Sequence, residues 1–158
     1  MRSLFALLLF PTLASAQNRV DPAALSGLCG TWKGELLYMD YSSGAETRIP
    51  ATLVVASLDE RRWLVTFGYP DEPGANDTDT LTLSADGRAV DDLAVMRVNE
   101  LKNGLVRIVL EQDGYDDNRP ARIRKLWTMG ATTCSLRKEV RSKGEKRFEL
   151  RHQYTFTR

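Results

Sequence analysis

From Thr31 onward, apolar residues recur at every second position in short runs separated by turn residues. That period belongs to strands with one buried face. Trp32, Leu36 and Tyr38 share one face of the first run. Ile49, Ala51, Leu53 and Val55 share a face of the second, and Trp63, Val65, Phe67 and Tyr69 a face of the third. The pattern returns at Thr80 to Ser84, Leu93 to Asn99 and Val106 to Leu110, then through Ile123, Lys125, Trp127 and Met129. It ends with Cys134, Leu136 and Val140, and with Phe148, Leu150, His152, Tyr154 and Phe156. Asp86-Gly87 and Asn103-Gly104 are hairpin dipeptides. The only helix signal is Asp21-Pro22-Ala23-Ala24-Leu25, where Asp21 caps and Pro22 takes the first helical position. Eight to ten short strands and one helical turn predict an all-β chain, a closed antiparallel barrel or a sandwich.

The N-terminus carries an address. Arg2, the apolar run Leu4 to Leu13 and the small-x-small site Ala14-Ser15-Ala16 read as a cleaved signal peptide over residues 1–16. The run is too short for a membrane anchor of ~20 apolar residues. The expected mature chain, 17–158, is a single exported soluble domain, periplasmic or secreted. In an oxidising compartment Cys29 and Cys134 are expected to pair. Such a bridge would close a loop worth ~4–5 kcal/mol in the chain-entropy view. If the last strand closes a barrel against the first, both cysteines arrive at one rim. This favours the barrel over the sandwich.

The 22 basic and 21 acidic residues nearly cancel, which gives no field for nucleic acid. A single histidine, His152, excludes a multi-histidine metal site, and no nucleophile elbow or phosphate loop is present. No cofactor, metal or catalytic set is expected, so the chain reads as a non-enzyme. The oxygen-rich stretch Asp113 to Asp117 reads as a solvated acidic loop, not a calcium site, because it lacks the distal glutamate. Asn76-Asp77-Thr78 is a formal glycosylation acceptor within a polar loop, Asp71 to Asp79.

Cys29-Gly30-Thr31-Trp32, after a helical turn and before a meander of strands, resembles the calycin superfamily, which includes lipocalins and fatty-acid-binding proteins. It is equally compatible with a bacterial lipocalin-like family. The resemblance implies that Gly30 and Trp32 form the structural motif at the closed end, with Arg158 covering the tryptophan. It also implies a binding module for a small lipophilic or amphipathic ligand. The inward faces offer Tyr38, Lys125 and His152 as polar contacts and Trp63, Phe67 and Trp127 as apolar wall. Lys125 calls for an internal acid or an anionic ligand head, such as a fatty acid's carboxylate. The competing reading is an interaction protein, such as a secreted small-barrel protease inhibitor acting through a flexible arm at Gln17 to Ala24.

Overall fold

In the computed structural model the strands follow one another around a single antiparallel sheet of ten. The structure describes residues 18–40 and 43–158, so the expected signal peptide lies outside the described residues. A helical turn, α1 (Pro22–Ser26), precedes β1 (Gly30–Met39), β2 (Glu46–Ser57), β3 (Arg62–Gly68) and β4 (Asp77–Thr82). The short β5 (Ala89–Val90) follows, then β6 (Leu93–Glu100), β7 (Val106–Asp116), β8 (Arg119–Met129), β9 (Thr133–Ser142) and β10 (Glu149–Thr157). Among the described residues no helix is long and apolar enough to cross a membrane.

The order is β4-β3-β2-β1-β10-β9-β8-β7-β6-β5. First and last strands are therefore neighbours, with Lys33 opposite Thr157 and Tyr38 opposite His152. A bridge between Leu83 and Val90 joins the two ends of the sheet. Because β5 has only two residues, the ring closes at that one level and leaves a gap between β4 and β6. The result is a nearly closed barrel. Gly34 is required where β1 meets β10, since a Cβ there would stand 1.9 Å from the Thr155 carbonyl oxygen.

One end is shut. Asp21 caps α1 by accepting from the Ala23 N–H at 2.8 Å, and Leu25 and Leu28 are buried in the main core with Trp32, Trp63 and Phe156. The Trp32 indole donates to the Leu28 carbonyl at 2.7 Å. The Arg158 guanidinium lies 4.1 Å above the Trp32 ring. It also donates to the carbonyls of Cys29 (2.7 Å), Gly27 (3.1 Å) and Ala131 (2.8 Å). A cation here satisfies carbonyls at the end of α1 that the helix itself cannot.

Four sequence expectations need correction. Cys29 and Cys134 do reach this end, but both are free thiols and no disulfide joins them. Cys134 is buried within the core opposite Phe156, whereas Cys29 only borders that core and gives its carbonyl to Arg158. Within the described part of the expected arm, 18–24, the chain is tied down, because the Val20 N–H donates to Gly87 O at 2.8 Å and Arg19 binds Asp86 O. The acidic stretch at 113–117 is no loop either. β7 runs through Asp116, and Asp117 and Asn118, both at positive φ, make the tight turn into β8. Finally, the last strand does not alternate throughout. A bulge between Leu150 and His152 turns Leu150 to the face it shares with Glu139. Phe148 then lies beneath the Arg124 and Arg141 guanidiniums, 3.7 and 5.0 Å from its centroid.

Candidate functional site

The inward faces of β2, β3, β4, β8, β9 and β10 line a half-open cavity of about 270 Å³ above the closed end. Its floor is Leu28 and Leu53, and its apolar wall is Val55, Val65, Phe67, Trp127 and Leu136. Alternation places all of these except Leu28, which follows α1, since each of the others lies on the buried parity of its strand. An aromatic column runs up the β10 side. Tyr154 stacks on Phe156 with centroids 5.6 Å apart, and Phe67 lies 4.7 Å from Tyr154 on its other flank. The Tyr69 and Tyr154 hydroxyls meet at 2.6 Å. Burial and that hydrogen bond push the Tyr154 phenol far up, so it stays protonated.

Four of the six expected ligand contacts meet here: Phe67, Lys125, Trp127 and His152. Two do not. Trp63 is fully buried and does not line the cavity, and its indole nitrogen has no hydrogen-bond partner among the described residues. Tyr38 pairs in register with His152 but also stands outside the lining.

The polar part of the site is richer than the sequence suggested. Lys138 and Lys125 sit opposite each other on β9 and β8, and both line the cavity. Lys138 binds the Asp116 carboxylate at 3.3 Å, and Arg151, swung inward by the bulge, binds it at 2.7 Å. Burial alone would raise the Asp116 pKa, but the Arg151 hydrogen bond and the Lys138 charge hold it below its ordinary value. Lys125 makes no such pair. Burial lowers its pKa, the neighbouring Lys138 lowers it further, and the Asp91 and Asp79 carboxylates oppose the shift from a distance. His152 is pulled down to about 4 by burial and by Lys138 and Lys125, so its imidazole is neutral at neutral pH.

Across the cavity stand three carboxylates that sequence reading placed in a loop or passed over: Asp77, Asp79 and Asp91. β4 begins at Asp77, and its register with Phe67 and Val65 turns Asp77 and Asp79 toward the interior. Burial raises the Asp91 pKa, and one of its oxygens accepts from the Thr82 N–H at 2.8 Å. The signal for β4 was the alternation of Asp77, Asp79 and Leu81. Charged residues on the inward parity hid it. No group of three or more potential metal-ligating side chains occurs among the described residues.

A barrel of ten antiparallel strands, shut at one end by a helical turn and a tryptophan under an arginine, is a calycin-like small β-barrel. No protein-family model matches the chain, and no curated protein sequence does. Among solved structures it is similar to a variant of the fluorescent protein UnaG, at 12% identity and a TM-score of 0.44, over 85% of this chain and 97% of that one. It is also similar to a secretory abundant heat-soluble protein from Ramazzottius varieornatus, at 7% identity and a TM-score of 0.41, over 84% and 95% of the two chains. Both likenesses are distant, and the fold rests on the strand order described above.

Proposed function

We propose that this protein is an exported, non-catalytic carrier that holds one small amphipathic molecule in its barrel. The observation that carries the reading is the cavity: apolar and aromatic over most of its wall, with an ammonium, Lys125, that no protein carboxylate neutralises in contact. An ammonium in such a setting is costly unless something pairs with it, and a ligand's anionic group would do so. The neutral imidazole of His152 and the linked hydroxyls of Tyr69 and Tyr154 supply further hydrogen-bonding capacity beside it. Small-molecule sites commonly combine an apolar lining with a few convergent polar groups in this way. Export rests on the N-terminal leader pattern of residues 1–16.

Trp127 in the cavity wall provides a direct readout. Fluorescence titration with a panel of small fatty acids, amphiphiles and neutral lipophiles is expected to give a saturable change with at least one member, weakened by Lys125→Met. Native mass spectrometry of protein purified from its own host is expected to show a bound small molecule. A solid interior, with no saturable change across the panel and no co-purifying mass, would overturn the carrier reading.

A further inference from the structure

The cavity carries charges of both signs that do not meet. Asp77 and Asp79 project from β4 as alternate inward positions and form no ion pair among the described residues. Asp79 accepts a hydrogen bond from the Thr80 N–H at 2.7 Å. Lys125 projects from β8 and makes no ion pair or hydrogen bond among the described residues, with Asp91 and Asp79 acting on it only through their charge. In the strand order β8 lies six places from β4 in one direction and, through the Leu83–Val90 bridge, four in the other. The two walls are thus nearly opposite each other. The other two cations in the lining are occupied, Lys138 by Asp116 and Arg137 by Glu139.

We infer that the ligand is a compact zwitterion with its charges at separated ends: an anionic group for Lys125, an ammonium for Asp77 and Asp79, and an apolar body between. This deepens the carrier reading and rests on it. A simple anion gains Lys125 but sits across from the unneutralised Asp77 and Asp79 carboxylates, with Asp91 also in the lining. A simple cation gains those carboxylates but meets Lys125. Only a molecule with both groups neutralises both walls, and hydrogen bonds to charged partners are among the stronger polar contacts. The volume points the same way. About 270 Å³ falls just below the usual range of ligand cavities, which suits a short body. Asp77 and Asp79 are solvent-exposed, whereas Lys125 lies deeper. The anionic end therefore goes in first.

Isothermal titration with three probes of one body tests this: 8-aminooctanoate, octanoate and octylamine, with octanol as the neutral member. Shorter and longer ω-amino acids bracket the spacing. The zwitterion is expected to bind on the order of tenfold or more tighter than either singly charged probe. Lys125→Met should reduce it to the level of octylamine. Asp77→Asn combined with Asp79→Asn should reduce it to the level of octanoate and tighten octanoate itself. Circular dichroism of each variant confirms that the barrel is intact. Octanoate or octylamine binding as tightly as every ω-amino acid overturns the zwitterion inference and leaves the carrier reading standing. No binding by any probe, octanol included, overturns both.

Discussion

His152 is the chain's single histidine, and its position in the barrel makes stability depend on pH in a calculable way. On one side it faces Lys138 across the β9–β10 ladder, with Lys125 beyond, and the Tyr154 ring packs edge-on at 5.6 Å. Burial and the two cations favour the neutral imidazole, and only Asp116 opposes them. The folded pKa of about 4 lies below the ordinary 6.5. The unfolded chain therefore takes up a proton first as pH falls. Stability from this residue is complete above the unfolded value and is lost as pH drops through 6.5 toward 4. Proton linkage between those two values gives a loss of about 2 kcal/mol at pH 5 and roughly 3 kcal/mol once the folded form also protonates. Urea unfolding followed by tryptophan fluorescence at pH 7.5 and pH 5 measures it. His152→Gln removes the titrating group, so the variant should lose about 2 kcal/mol less than the parent between those conditions. The single imidazole resonance in a proton NMR titration gives the folded pKa directly. Equal losses in parent and variant, or a folded pKa above 6, would refute the reasoning.

Other consequences are separable from this one. Trp32→Ala empties the plug of the closed end and should cost ~3–5 kcal/mol in urea unfolding. Arg158→Ala, which removes hydrogen bonds at an exposed site and the ring contact, should cost about 1–2 kcal/mol. Burial pushes the Cys134 thiol up to about 12, so a thiol reagent should label Cys29 first in the folded protein and reach Cys134 only on unfolding. Two thiols unreactive even when unfolded, then released by reductant, would show a disulfide in place of the free pair. Asp116→Asn withdraws the carboxylate bonded to both Lys138 and Arg151 and should cost about 3 kcal/mol or more at neutral pH. Because that carboxylate's pKa is lowered, the cost should shrink as pH falls below ~4, which acid-range unfolding of both proteins would reveal.

Much of the architecture could be read from spacing alone. Period-two runs located nearly every strand because most have one buried face, and Asp21-Pro22 marked α1 because capping chemistry is local. The inward set Phe67, Lys125, Trp127 and His152 followed from the same alternation. The failures have physical causes. Asp77-Thr78-Asp79 reads as a loop because strands seldom aim carboxylates inward, so half of the charged cavity went unseen. Lys138 shares parity with Leu136 and Val140, yet it looks like a surface residue without its partner Asp116, which is 22 positions away in the chain. The bulge beside Arg151 leaves no mark in the pattern, because inserting one residue reverses parity without changing composition.

The neighbouring of β1 and β10 also sets a timetable. β1 has a ladder partner in β2 soon after it is made, but its other edge stays empty until β10, more than a hundred residues later, has emerged. Trp32 gains its Arg158 cover at the same late moment. Loop closure over such a separation is slow compared with hairpin formation, so the barrel closes only after nearly the whole chain is available. A growing or threading chain thus carries meanders whose outer edges stay unpaired and extensible until β10 arrives. For a protein that we propose leaves its site of synthesis, this delay keeps the polypeptide passable until it has arrived.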